Sequence, residues 1–162
     1  MRVRAPRDSD GPAYVELFLR PEIQRWLRPQ PLPPFGAAEI EQMLSEDLQH
    51  WEEFEFGPWA LVEEGSESLL GRAGLRWTAI QGKMVVELAW TTDPDHQGTG
   101  LATEAALAAL DLARSLGITE VVALTLPGNL ASRRVAEKAG LRPDGGVEHA
   151  GLAHILYRKP LA

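Results

Sequence analysis

The chain of 162 residues contains no cysteine, which excludes disulfides, thiolate metal sites and any covalent catalysis through sulfur. Long apolar runs are absent too. No stretch approaches the roughly 20 residues that a membrane-spanning helix needs. The opening Met1-Arg-Val-Arg-Ala-Pro-Arg-Asp8 is positive with no apolar segment behind it, so the expected location is cytoplasmic and no membrane partner is expected. Basic residues are in deficit, 16 against 23 acidic, for a net charge of -7. That balance argues against a nucleic-acid partner and favours encounter with a cationic small molecule or basic peptide. The four histidines, His50, His96, His149 and His154, show no metal-ligand spacing, and no metal is expected.

What is present describes an ordinary folded domain. Hydrophobic residues make up 44% and charged residues 24%, too apolar for intrinsic disorder. With no repeat or low-complexity tract, residues 1–162 read as one domain. Asp8 or Ser9 is placed to cap a helix carrying Tyr14, Leu17 and Phe18, and Pro21 to begin a short one holding Ile23, Trp26 and Leu27. Four prolines within Arg28–Pro34 make a loop. Ile40, Met43, Leu44, Leu48 and Trp51 then recur at helical spacing across Ala37–Phe54.

After Gly57-Pro58 the pattern turns to strands: Trp59–Val62, Leu69 on through Trp77, and Met84–Trp90, separated by turns at Glu63–Glu67 and Gln81-Gly82. A helix with the stripe Leu101, Ala105, Ala108, Leu112, Leu116 ends at Gly117. Val121–Thr125 is a buried strand, Asn129 caps a last helix that ends at Gly140, and Ala153–Arg158 closes the chain as a strand. The fold class is α+β, mixed α/β, around one sheet.

The segment with the most chemistry is Asp93-Pro-Asp-His-Gln-Gly-Thr-Gly-Leu-Ala-Thr-Glu-Ala105, a strand exit, a glycine turn and a helix start in succession. Gly98 and Gly100 let backbone N–H groups converge, and the helix adds its unpaired donors and positive dipole end, a setting suited to phosphate. No Lys-Ser/Thr follows, so it is not a Walker loop. A third glycine is missing, so it is not a dinucleotide fingerprint.

Gln97-Gly98-Thr99-Gly100-Leu101-Ala102 resembles the pyrophosphate loop of the GNAT N-acetyltransferase superfamily, and the extension to Ala105 is similar to its Rim-type branch, which holds ribosomal-protein N-terminal acetyltransferases. The likeness continues in Arg2-Val-Arg4, Pro21-Glu22-Ile23, Gly71-Arg-Ala-Gly-Leu75 and Asn129–Leu141. It implies a mostly antiparallel twisted sheet of six or seven strands with helices on both faces, the cofactor loop lying between strand 4 and the following helix. It also implies acetyl-CoA as co-substrate and a primary amine, a protein N-terminus or small molecule, as acceptor in a ternary complex. A homodimer is left open, and the alternative is a non-catalytic acyl-CoA sensor.

By that resemblance acetyl-CoA contacts Ala89, Trp90, Thr91, Thr92, the run Gln97, Gly98, Thr99, Gly100, Leu101, Ala102 and Thr103, and then Asn129 and Ser132. A lysine-like amine with a pKa of about 10.4 is almost wholly protonated at neutral pH, so a base is required. Glu87, at the acidic position of the strand before the loop, is the candidate, either directly or through a water. Alternation sets Glu87 on one face with Val85 and Ala89, a carboxylate among apolar neighbours. Ser132 is the candidate to assist the departing sulfur, with the general acid otherwise open. Trp26 and Trp51 are expected to line the amine pocket. Arg133, Arg134 and Lys138 read either as phosphate contacts or as a solvated face.

Overall fold

A computed structural model describes all residues from Met1 to Ala162. In chain order the elements are β1 (Arg2–Arg4), α1 (Gly11–Phe18), α2 (Pro21–Leu27), α3 (Ala37–Phe54), β2 (Pro58–Val62), β3 (Leu69–Ile80), β4 (Lys83–Thr92), α4 (Leu101–Ser115), β5 (Glu120–Thr125), α5 (Leu130–Lys138), β6 (Arg142–His149) and β7 (Leu152–Pro160). Seven strands form one sheet in the order β1-β2-β3-β4-β5-β7-β6. No helix is long and apolar enough to cross a membrane.

The chain packs as two compact units, Met1–Ala73 with Thr91–Leu101 and Gly74–Trp90 with Ala102–Ala162. In the first, β1 pairs antiparallel with β2, and Tyr14, Phe18, Ile40 and Leu44 form a core with Ala60 and Val62. Asp47 is buried on the same α3 stripe, and its carboxylate takes a two-pronged hydrogen bond from Arg72 at 2.6 and 2.7 Å. Low dielectric makes such a pair costly to break. Asp8 and Ser9 do not cap α1. They lie in a 3₁₀ turn, because the Asp10 carboxylate is drawn off to Arg4 at 2.8 Å and to the Arg7 N–H at 2.7 Å.

In the second unit, β5 pairs antiparallel with β7 and β7 with β6, over a core of Ile80, Val122, Val147 and Leu156. The buried face of α4 differs from the expected stripe. Ala105, Ala106, Ala109, Leu110 and Ala113 are inside, while Leu116 is 47% exposed and Ala108 lies outside. Alanine occupies both faces of this helix, so apolar periodicity alone could not orient it. The helix closes as expected at Gly117, where φ is +75° and Ile118 N–H reaches the Ala113 carbonyl.

Strand β6 has no counterpart in the sequence reading. Its residues, Arg-Pro-Asp-Gly-Gly-Val-Glu-His, show no alternation, and the register shifts between Pro143 and Gly146. It is a sheet edge, the position where proline and a bulge are tolerated.

Candidate active site

The two-residue turn at Gln81 (φ +50°) and Gly82 (φ +77°) joins β3 to β4. Counting outward from it sets Arg76 opposite Glu87, and the side chains meet: Nε and Nη2 of Arg76 each lie 3.1 Å from Oε2 of Glu87. Glu87 is buried, at 6% exposure, so the carboxylate expected among apolar neighbours has a guanidinium partner. The sequence reading did not name Arg76, although the hairpin register contains it.

Glu87 is also the residue at which β4 touches β5. The parallel pairing is registered at Glu87–Val122 alone, and the two strands form no other ladder pair with each other. Three residues past that pair on each strand stand Trp90 and Thr125, whose indole N–H and hydroxyl are buried without a hydrogen-bond partner. Buried polar atoms left unpaired cost free energy and mark a place for a ligand or water. Ala89, Trp90, Thr91 and Thr92 are half-buried along this strand end.

The loop after β4 is held by its own residues. Arg20 reaches Asp93 at 2.9 Å and Asp95 at 3.0 Å, which lowers the Asp95 pKa below the usual carboxylate range. Arg20 too was missed by the sequence reading. Asp93 accepts from the Asp95 N–H, and the Thr99 hydroxyl donates to the His96 carbonyl at 2.6 Å. Gly71 permits the close approach of β3 behind it, since a Cβ there would lie 2.3 Å from the Thr91 carbonyl oxygen. Gln97, Gly98, Thr99 and Gly100 are exposed, and Leu101, Ala102 and Thr103, half-buried, begin α4. Both glycines have positive φ, +79° and +86°, and a Cβ at either would meet nothing within 4 Å. The loop therefore carries backbone donors on a surface that no side chain of the chain fills.

Asn129 caps α5, its Oδ1 accepting the Ser132 N–H at 3.2 Å, so these two residues are brought together in the first turn. Arg133 of the same helix is taken up by the Tyr157 hydroxyl at 3.3 Å and the Pro127 carbonyl at 3.0 Å. The tryptophans are held separately. Trp26 lies under the Arg25 guanidinium, 4.8 Å from the ring centroid, and the Trp51 indole donates to the Pro58 carbonyl at 2.8 Å. No group of acidic residues and histidines able to hold a metal is found.

The model of the acetyltransferase (GNAT) domain family matches residues 1–142, and the chain belongs to that family. Among curated relatives, the uncharacterized protein YkkB of Bacillus subtilis (strain 168) is 37% identical over 86 residues, which is 51% of this chain and 49% of that one. The chain spans about half the length of the curated relatives it matches. Among solved structures, an acetyltransferase from Agrobacterium tumefaciens has a TM-score of 0.82 at 25% identity, covering 97% of this chain and 88% of its own. RimL, a ribosomal alpha-N-protein acetyltransferase in complex with coenzyme A, has a TM-score of 0.77 at 20% identity, covering 98% and 93%. At that identity the likeness is one of fold.

Proposed function

We propose that this chain is an acetyl-CoA-dependent N-acetyltransferase that acts on a primary amine by direct attack in a ternary complex. The observation that carries the reading is that β4 and β5 share a single ladder pair, Glu87–Val122, with the Trp90 and Thr125 polar atoms buried and unpaired three residues further along each strand. An arm bearing amides and a thioester, as in acetyl-CoA, supplies what those atoms lack, and it brings an activated acyl group to the strand opening. The exposed backbone donors of Gly98, Thr99 and Gly100, with the Gln97 side chain beside them, and the start of α4, Leu101 to Thr103, hold its pyrophosphate. Main-chain N–H groups near Ala89 and Trp90 face the thioester oxygen, and Thr91 and Thr92 continue that contact along the strand.

Glu87 draws the proton from the ammonium, and Arg76 fixes the carboxylate's orientation. Asn129 touches the cofactor arm, and Ser132 steadies the sulfur as it departs. Trp26 and Trp51 belong to the amine side. Residues 1–162 act as one domain in a cytoplasmic setting. The Rim-type loop at Gln97 to Ala105 supports a protein N-terminus as acceptor.

A second reading, an acyl-CoA sensor without turnover, draws on one observation. Both Arg76 bonds fall on Glu87, as they would in a purely structural ion pair. A panel of N-terminal peptides and small amines, assayed with acetyl-CoA for released CoA, separates the two. Turnover with any amine supports the enzyme, and binding without release across the panel supports the sensor.

A further inference from the structure

Helices α1 and α3 share the core of Tyr14, Phe18, Ile40 and Leu44, and a groove of about 600 Å³ lies where they meet. Its apolar lining comes from Pro12 and Val15 of α1 and from Leu44 and Leu48 of α3, residues one helical turn apart on each helix. Two small residues, Gly11 and Ser45, complete the walls. Gly11 is helical, with φ -47° and ψ -54°, so the backbone does not require a glycine there. Nor does crowding, since a Cβ on Gly11 would meet only Leu44 Cδ2, at an ordinary contact distance of 3.9 Å. What the glycine leaves open is the approach to Leu44 within the groove.

The rest of the lining is acidic. Asp8, Glu16 and Glu41 are exposed along the groove, and no lysine, arginine or histidine lines it. The arginines nearest along the chain are committed elsewhere: Arg4 to Asp10 and Glu67, Arg7 to Glu67, and Arg20 to Asp93 and Asp95. The three groove carboxylates are therefore left without a counterion, on a chain of net charge -7. Free carboxylates beside apolar surface complement a partner that is cationic and has an apolar face of its own. A second copy of this chain brings the same negative charge and is disfavoured.

We propose that this groove docks a basic amphipathic helix of a protein partner, its apolar residues resting on Leu44 and Leu48 and its lysines or arginines facing Asp8, Glu16 and Glu41. The furrow between two packed helices matches the ridge of side chains that a third helix presents, the helix-in-groove mode of recognition. From Glu41 to Leu48 the groove follows α3 for about 10 Å, or two turns, so the incoming helix engages it through two apolar anchors. So short a contact makes a weak, reversible complex. Docking here involves no acetyl transfer and does not depend on the function proposed above.

The test uses the intact protein and the fluorescence anisotropy of a labelled helical peptide of about 15 residues, with two leucines one turn apart flanked by lysines. Glu16→Gln/Glu41→Gln is compared with Glu53→Gln/Glu64→Gln, which changes the net charge equally at exposed residues outside the groove. The groove variant is expected to weaken binding about tenfold or more, and the control less than about twofold. Ser45→Trp fills the groove without altering charge and is expected to abolish binding. A peptide with serine in place of both leucines is expected to bind wild type at least about tenfold more weakly. Thermal unfolding checks that each variant is folded. Equal losses in the two double variants would overturn the proposal by reducing it to attraction toward net charge, and equal binding of the leucine and serine peptides would overturn it by removing the apolar anchors. Displacement of the peptide by spermine at comparable affinity would overturn it in favour of a small polyamine, and a dimer in sedimentation that Ser45→Trp dissociates would overturn it in favour of a second copy.

Discussion

Replacing Gly100 by alanine separates what the loop does for the fold from what it does for a ligand. At φ +86° an L-residue is strained by about 1–2 kcal/mol, and no steric term adds to this because a Cβ meets nothing within 4 Å. Gly117, past the far end of α4, is its control: φ is +75° and the space around its Cβ is equally open. The fifteen residues of α4 put about 22 Å of helix between the two positions. Urea denaturation should therefore show similar losses, about 1–2 kcal/mol, for Gly100→Ala and Gly117→Ala. Calorimetry with acetyl-CoA should distinguish them. A methyl group on the surface that receives the pyrophosphate should weaken binding by about tenfold or more, equivalent to about 1.4 kcal/mol, whereas Gly117→Ala should bind as wild type. Equal affinity for Gly100→Ala and wild type would refute the assignment of this loop to the cofactor.

Asp47→Ala removes one partner of a pair in which Asp47 is 3% and Arg72 7% exposed, and should cost about 3–5 kcal/mol in chemical denaturation; a loss below about 1 kcal/mol would show that the site relaxes around the charge. Asn129→Ala should lose about 1 kcal/mol with the cap and also raise the Michaelis constant for acetyl-CoA, so a stability loss with wild-type kinetics would reduce Asn129 to its cap. Because the folded-state pKa of His154 lies below the ordinary 6.5, its contribution to stability is fully present above pH 6.5 and is lost as pH falls through the folded value. Denaturation curves taken from pH 7 to pH 5 should show a shallower decline in His154→Gln than in wild type.

The helices and long strands were legible because their signals are local. Pro21 at a helix start, the Ala37–Phe54 stripe and the Gln81-Gly82 turn each depend on neighbouring residues, and each forms where the pattern placed it. What escaped depends on partners far along the chain. Asp10 resembles a cap residue until Arg4 and the Arg7 N–H claim it, and α4 has alanine on both faces, so tertiary packing alone orients it. Edge strand β6 lacks alternation because one of its sides has no neighbour to satisfy. At the candidate site, the glycine loop, Asn129 and Glu87 could be found as residues on the chain. Arg76 required counting the hairpin register.

The most direct test of the central claim is the steady-state rate of CoA release, with acetylated amine confirmed by mass, for wild type and Glu87→Gln at saturating acetyl-CoA and amine. Wild type is predicted to release CoA and acetylated product in equal amounts. Glu87→Gln keeps the shape of the side chain but not its charge, so its rate should be lower by roughly 10²–10⁴-fold, with acetyl-CoA affinity nearly unchanged. A wild-type protein that binds acetyl-CoA and releases no CoA with any amine, or a Glu87→Gln protein that turns over at the wild-type rate, would contradict the account.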